Sequence, residues 1–257
     1  MNLILEGIKY HLQAKKRQGI HSPFVYELTS YLRAETMDTA SKEALKQLAI
    51  DVKKQKDFFE TEDFGAGSKH FGNLRNGSSL YRTSATKGKY GHLLYKLIKH
   101  LKPDSILEFG TSLGIGTLQM HFGNQSAFIT TVEGSKKVAE IANETIKRYA
   151  IKPEKIQIIQ STFNQYLDVS GHEQFDFIYV DGHHDGEALL NYIDRLKPRM
   201  NEKTVVLIDD IRWSNSMFQS WKTLCNDPWF SVSIDFFRMG CLCIRKHQAK
   251  EHFILKN

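Results

Sequence analysis

A glycine-containing segment, Glu108-Phe-Gly110-Thr-Ser-Leu-Gly114-Ile-Gly116, has the residue types of a ligand-binding turn. It continues a short apolar strand predicted at 105–109. A ligand at the carboxyl end of a parallel strand requires a sharp turn with backbone close to the ligand, and glycine permits both. The spacing Gly-x-x-x-Gly-x-Gly differs from the Gly-x-Gly-x-x-Gly of dinucleotide-binding domains. Glu108 favours a cationic ligand and opposes a pyrophosphate, although a plain strand-to-helix turn is the alternative.

Further positions extend this predicted cofactor site. Glu133 ends a second strand, at 128–132, where a carboxylate can accept two hydrogen bonds from a ribose diol; the alternative is an acid at a helix N-terminus. Ser161 and Thr162 follow a third strand, where an adenine ring would lie, or else they cap a helix. The residues predicted to bind the cofactor are Glu108, Gly110, Thr111, Ser112, Gly114, Gly116, Glu133, Gly134, Ser161, Thr162 and Asp181.

Three acids follow two later strands. Asp181 comes directly after the strand predicted at 175–180, and Asp209 and Asp210 follow the one at 204–208. Carboxylates that converge at one sheet edge repel one another unless a cation or a proton lies between them. Oxygen-only ligands favour a hard divalent cation such as Mg²⁺, which would lower the pKa of a substrate hydroxyl. The alternative is that such acids cap neighbouring helices.

Two histidines lie just beyond the first of these acids. His184 follows Asp181 by three positions, and a histidine with an ordinary pKa of roughly 6.5 can take the proton of a substrate hydroxyl. We therefore predict His184 and Asp181 as catalytic residues. His183 is the competing candidate base, and a loop histidine bonded to backbone is the alternative.

From about residue 88 onward, helices alternate with short apolar strands. This pattern is typical of a parallel sheet covered on both faces. The strands are predicted at 105–109, 128–132, 155–159, 175–180 and 204–208, and two more, at 230–236 and 241–244, form a terminal hairpin. The predicted fold is α/β: a doubly wound, mostly parallel, seven-stranded Rossmann-like sheet with a C-terminal antiparallel hairpin and an N-terminal helical extension.

The first part of the chain differs in composition from the rest. We predict a helical and loop extension at 1–85, a candidate substrate lid or homodimer element, followed by the catalytic domain at 86–257. Ser22-Pro23 predicts the start of a helix, since serine caps helices and proline suits the first helical position. The segment Asp63 to Ser68 contains two glycines but follows no apolar strand, so it is predicted to be a mobile loop over the substrate side.

Composition excludes several classes of protein. The net charge is +6, with a pI near 9.0, but the basic residues are spread along the chain, so we expect a solvated surface rather than a nucleic-acid partner. Three cysteines, Cys225, Cys241 and Cys243, are too few and wrongly spaced for a disulfide framework or a zinc site. No signal peptide or membrane-spanning run is evident, and we expect a cytoplasmic protein with no membrane partner.

These motifs together resemble the class I S-adenosylmethionine-dependent methyltransferases related to catechol-type O-methyltransferases, over roughly residues 88–245. The resemblance is closest to bacterial members with an Asp-Gly-x-His motif. It is carried by four short segments: Ile106 to Gly110 with Gly114, Val132-Glu133, Val180 to His184, and Leu207 to Asp210. It implies S-adenosylmethionine as cofactor and Asp181, Asp209 and Asp210 as ligands of Mg²⁺ or another divalent cation. The family's frequent lysine base is replaced by His184, and its Lys-Pro-Gly-Gly turn appears as Lys197-Pro-Arg-Met200.

The function that we predict is methyl transfer from S-adenosylmethionine to an oxygen of a small-molecule acceptor, assisted by a divalent cation. The alternatives are a metal-independent methyltransferase of RNA or protein, a nicotinamide-dependent oxidoreductase, and a binding protein without turnover. The glycine spacing and Glu108 disfavour the oxidoreductase. The charge is the only support for the RNA or protein acceptor. The extension before residue 85 does not match the catechol enzymes, so the resemblance does not identify the acceptor.

Overall fold

The computed structural model describes residues 3–14, 19–56, 58–61, 74–169, 171 and 173–256. The loop predicted at 63–68 lies outside these residues. Among the helices of the described ranges, none combines the length and the apolar character that a membrane span requires.

The helices and strands are numbered in chain order. The helices are α1 Leu3–Gln13, α2 Pro23–Ala34, α3 Thr39–Lys54, α4 Gly77–Ser84, α5 Gly88–Leu101, α6 Ile115–Gly123, α7 Lys136–Tyr149, α8 Phe163–Val169, α9 Gly186–Leu196 and α10 Asn215–Asn226. The strands are β1 Phe59–Glu60, β2 Leu74–Arg75, β3 Ser105–Phe109, β4 Phe128–Glu133, β5 Ile156–Gln160, β6 Phe175–Val180, β7 Met200–Ile208, β8 Val232–Asp235, β9 Gly240–Cys243 and β10 Glu251–Ile254.

The chain divides into two compact units, which we call the central unit, Ala34–Val169, and the terminal unit, Met1–Arg33 with Ser170–Asn257. In the central unit β3 pairs with β4 and β4 with β5, all parallel. The register sets Glu108 opposite Thr131, so these side chains leave the same face of adjacent strands. A core cluster that joins α3, α5 and α6, including Leu48, Tyr95 and Leu118, stabilises the central unit by excluding water from apolar surface.

In the terminal unit β6 and β7 are parallel, whereas β9 is antiparallel to both β7 and β8. Burial follows from sequence, since β6 and the second half of β7 are almost entirely apolar and lie inside. Because β6 and β7 run the same way, the residues that follow Val180 and Ile208 emerge at one edge. This edge carries Asp181, Asp209 and Asp210.

The strand order of the larger sheet is β10-β8-β9-β7-β6-β3-β4-β5. The predicted α/β class, the mostly parallel sheet and the C-terminal antiparallel hairpin are therefore confirmed. The predicted count of seven strands was one too low, because β10 pairs parallel with β8. Sequence periodicity missed β10 because only Phe253 of its residues is buried. The short antiparallel pair β1–β2 was also not predicted.

Candidate active site

The turn after β3 contains three residues with positive φ. The φ angles are 105° at Gly110, 48° at Ser112 and 76° at Gly114, and Gly114 directly precedes α6. Only glycine adopts such angles without strain, so both glycines are required by the turn. Ser112 adopts one without being glycine, and such outliers cluster at binding sites. Gly116 is buried in the first turn of α6.

Glu108 is buried inside the central unit, 1% exposed. Its Oε2 accepts hydrogen bonds from the hydroxyls of Thr117 and Thr131, the latter at 2.6 Å. Its Oε1 is buried and has no hydrogen-bond partner among the described residues. Burial raises the pKa of Glu108 to about 8, against the lowering effect of the two threonine hydroxyls, and the nearby charge of Glu133 adds to the rise. The carboxyl group is thus short of a positive partner.

Glu133 connects the end of β4 to the glycine turn. Its Oε2 accepts from the backbone N–H of Ser112 at 2.9 Å, and its Oε1 accepts from the N–H of Ser135 at 3.0 Å. Burial raises the pKa of Glu133, and these backbone hydrogen bonds act in the opposite direction. Each carboxylate oxygen has a second lone pair, so the group can still accept from a diol.

The remaining residues predicted at this site make local hydrogen bonds. The hydroxyls of Thr111 and Thr131 are 2.6 Å apart, and the carbonyl oxygen of Gly134 accepts from Gln160 at 2.9 Å. Ser161 donates to the carbonyl oxygen of Thr162 at 3.0 Å. The Thr162 hydroxyl donates to Gln165 Oε1 at 3.0 Å and accepts from the Gln165 N–H at 3.2 Å, as a residue capping α8 does. The adenine-binding role of Ser161 and Thr162 stays a prediction.

The central unit thus has acidic side chains that could bind a positively charged nucleoside cofactor. Two buried oxygens, Oε1 of Glu108 and Oγ of Ser112, lack a hydrogen-bond partner among the described residues. Buried polar atoms without partners are rare in folded proteins, and a bound ligand is one way to satisfy them. Sequence analysis missed Thr117 and Thr131, which hold the Glu108 carboxyl. The available signal was the pair Thr130-Thr131, two polar residues among the apolar residues of β4.

The terminal unit brings the three predicted aspartates to one edge. The Tyr179 hydroxyl lies 3.0 Å from Oδ2 of Asp181 and 3.4 Å from Oδ2 of Asp209, and it joins the ends of β6 and β7. Asp209 is buried, and its Oδ1 accepts from the N–H of Asp210 at 2.7 Å. Burial and the charge of Asp209 raise the pKa of Asp210 to about 6, although Arg238 lowers it.

A residue that sequence analysis missed, Arg238, supplies the positive charge of this cluster. Its Nε and Nη2 donate to Oδ1 and Oδ2 of Asp209 at 2.8 and 2.7 Å, and its Nε is 3.0 Å from Oδ1 of Asp210. Among the described residues, no group of three His, Cys, Asp or Glu side chains has the arrangement of a metal site. The prediction that Asp181, Asp209 and Asp210 bind a divalent cation does not fit this geometry. The available signal was an arginine inside the apolar hairpin at 230–244, where a charge needs a partner.

The two histidines after β6 have different surroundings. His184 Nε2 is 3.9 Å from Oδ2 of Asp210, and burial lowers the pKa of His184 although Asp209 raises it. His183 Nδ1 is 2.6 Å from the Tyr192 hydroxyl. Both have positive φ, 66° at His183 and 28° at His184, as does Asp210 at 51°. Left-handed non-glycine residues concentrated at one edge favour a functional role for it.

Comparison with known proteins gives a consistent result. Residues 107–211 match the family model described as a methyltransferase domain. No curated protein matches the chain in sequence. The Podospora anserina methyltransferase PaMTH1, solved with bound SAH, is 16% identical at a TM-score of 0.59, with 88% of this chain and 97% of that chain covered. The Bacillus cereus O-methyltransferase is 17% identical at a TM-score of 0.57, with 82% of this chain and 93% of that chain covered.

A further similar structure is the Streptomyces achromogenes O-methyltransferase TomG, solved with SAM. It is 14% identical, with a TM-score of 0.57, and the similarity covers 82% of this chain and 92% of that chain. The predicted resemblance to class I S-adenosylmethionine-dependent methyltransferases is confirmed by the family match and by the fold. The matched segment contains the glycine turn, Glu133, Asp181, Asp209 and Asp210.

Proposed function

We propose that this chain, whose residues 107–211 match the methyltransferase-domain model, transfers a methyl group from S-adenosylmethionine to an oxygen of a small-molecule acceptor. The observation that carries the donor assignment is the buried Glu108 with the half-buried Glu133, beside a turn with positive φ at Gly110, Ser112 and Gly114. This pair has no side-chain cation in its hydrogen bonds, and Oε1 of Glu108 has no partner among the described residues.

These acids and the glycine turn determine how the methyl donor would bind. S-adenosylmethionine, when bound, supplies an electrophilic methyl group on a positively charged sulfur. The glycine turn would take its methionine portion, since a cationic ligand lowers the free energy of an ionised Glu108. Glu133 would accept from the ribose hydroxyls with the lone pairs that its two backbone donors leave unused.

The acceptor side requires a group that removes a proton. Burial lowers the pKa of His184, so its ring is neutral at neutral pH and can accept the proton of an acceptor hydroxyl. In the proposed reaction the O–H bond breaks, the proton goes to His184, the acceptor oxygen bonds to the methyl carbon, and the carbon–sulfur bond breaks. The products are a methyl ether or ester and neutral S-adenosylhomocysteine. The proton later passes from His184 to solvent.

Two observations support an oxygen acceptor on a small molecule. Similar structures include O-methyltransferases, and one of them, TomG, is involved in tomaymycin synthesis. The basic residues of this chain are dispersed, whereas a nucleic-acid surface gathers them in a patch.

The test combines ligand binding with product analysis. We expect calorimetry on the full chain to show binding of S-adenosylmethionine and S-adenosylhomocysteine but not of NADH. We then expect methyl-labelled donor to label a member of a panel of phenols and hydroxy acids, with the label on oxygen by mass spectrometry. Binding of NADH alone would overturn the donor assignment. Label found only on RNA or protein would overturn the small-molecule acceptor.

A further inference from the structure

The acids of the terminal unit already have a cation. The Arg238 guanidinium meets Asp209 through two parallel hydrogen bonds, the bidentate geometry in which arginine binds carboxylates most strongly. The same Nε also pairs with Asp210. The Asp209 side chain is fully buried and that of Arg238 is about one-third exposed, so solvent screens this pair only in part.

The lone pairs of Asp209 are occupied. A carboxylate offers about four lone-pair sites, two on each oxygen. Oδ1 accepts from Arg238 Nε and from the N–H of Asp210. Oδ2 accepts from Arg238 Nη2 and faces the Tyr179 hydroxyl at 3.4 Å. A metal ion needs direct oxygen ligands at about 2.0–2.6 Å. Asp209 could provide one only by giving up one of these contacts, and the metal ion would then lie beside the positive charge of Arg238.

We infer that Arg238 is the resident cation of this acidic cluster, in the place that a divalent metal takes when such acids bind one. Arg238 is a positioning residue, since it acts through Asp209 and Asp210 rather than on the acceptor. It neutralises the carboxylates at the end of β7 and keeps Asp210 close to His184. This inference rests on the proposed function, and it leaves acceptor deprotonation to side chains without a Lewis acid.

A second buried arginine–aspartate pair provides a matched control. Arg212 donates through Nη1 and Nη2 to the two oxygens of Asp235 at 2.8 and 2.6 Å, and it also lies in the terminal unit. Truncation of either arginine to alanine leaves a buried aspartate without its bidentate partner. Of the two arginines, only Arg238 pairs with a second acid, Asp210.

The experiment measures Mn²⁺ binding by electron paramagnetic resonance on the full chain, without donor. We expect no binding to the wild type or to Arg212→Ala at millimolar Mn²⁺. We expect Arg238→Ala to gain Mn²⁺ binding, and Asp209→Asn in that background to abolish it. Arg238→Ala and Arg212→Ala should both lower the melting temperature, by roughly 10 °C. A purely structural role for Arg238 would produce the loss of stability without the gain of metal binding.

Several outcomes would overturn the inference. Wild-type Mn²⁺ binding that Asp209→Asn removes would show a metal site despite Arg238, and the wild-type titration decides this even if Arg238→Ala does not fold. A folded Arg238→Ala variant that did not bind Mn²⁺ would show that Arg238 does not occupy the position of a metal ion. Methyl transfer should also be unchanged by EDTA or added Mg²⁺. Absence of methyl transfer in every condition would contradict the proposed function while the Mn²⁺ result still tests Arg238.

Discussion

The central and terminal units each hold a pair of acids at the ends of parallel strands, one of them buried, but the two pairs accept hydrogen bonds from different groups. Glu108 and Glu133 accept hydrogen bonds from hydroxyls and backbone N–H groups, and burial raises the pKa of both. Asp209 and Asp210 instead accept from the guanidinium of Arg238. The first group is short of positive charge, whereas the second already has it.

This difference shows how to interpret acids at strand ends. A buried carboxylate costs free energy unless it is paired or protonated. Where the chain provides no cation, a cationic ligand gains binding energy by supplying one. Where the chain provides an arginine, an added cation must first displace it. Acid content alone predicted cation binding in both units, whereas the hydrogen-bond partners favour it only in the central unit.

The largest effect that we expect is on the rate of the proposed reaction. His184→Gln should lower kcat by roughly 1,000-fold at unchanged donor affinity, because it removes the group that accepts the acceptor proton. His183→Gln is the matched control, since His183 bonds to Tyr192 instead, and it should change kcat by only a few-fold. Steady-state rates with calorimetric donor affinity make the comparison. Equal losses in the two variants would contradict the assignment of His184 as base.

Donor affinity tests the central unit next. In the proposed complex Glu133 accepts two charge-assisted hydrogen bonds from the ribose, so Glu133→Ala should raise the Kd for S-adenosylmethionine by about 100-fold. Glu140 is an exposed acid that pairs with Lys137, so Glu140→Ala is the control and should leave the Kd unchanged. The readout is calorimetry on both variants. If the Kd of Glu133→Ala rose by less than threefold, the proposed contact between Glu133 and the ribose would be wrong.

Proton release on donor binding tests whether Glu108 lacks a cation in the free protein. The pKa of Glu108 is about 8, so this carboxyl is largely protonated at neutral pH, and a cationic donor should expel a fraction of its proton on binding. Calorimetry in buffers of different ionisation enthalpy measures that release. Glu108→Gln should abolish the release. Proton release that persists in this variant would assign it to another group.

The raised pKa of Glu108 also predicts how the stability of the protein without ligand depends on pH. The folded-state pKa of Glu108 lies above its ordinary value of 4.5, so the folded state binds the proton more tightly than the unfolded chain. The stabilising contribution of the protonated Glu108 carboxyl is therefore present at low pH and is lost as the pH rises from 4.5 towards 8. Melting temperatures should fall more steeply over this range in the wild type than in Glu108→Gln. Parallel pH profiles of the two proteins would contradict burial as the cause.

Sequence patterns predicted the fold better than the sites. The bounds of β3 and β6 were correct because an apolar run between polar residues marks a buried strand directly. β10 was not predicted because apolar and polar residues alternate only weakly along it. Arg238 escaped for a different reason: its partner Asp209 is 29 residues away, and their contact depends on the antiparallel pairing of β7 with β9. Sequence spacing indicates which acids share a sheet edge but not which cation reaches them.

The smallest effect concerns the threonines that support Glu108. Thr117→Val keeps the side-chain shape but removes one of the two hydroxyls that stabilise the ionised carboxyl. Because such a bond is worth about 1 kcal/mol, the pKa of Glu108 should rise further and donor affinity at neutral pH should fall about fivefold. Thr145→Val, at a buried position of α7, is the control and should leave affinity unchanged. Equal losses would point to general destabilisation. A loss confined to Thr117→Val that disappears above the pKa of Glu108 would show that the hydroxyl acts through ionisation of this carboxyl.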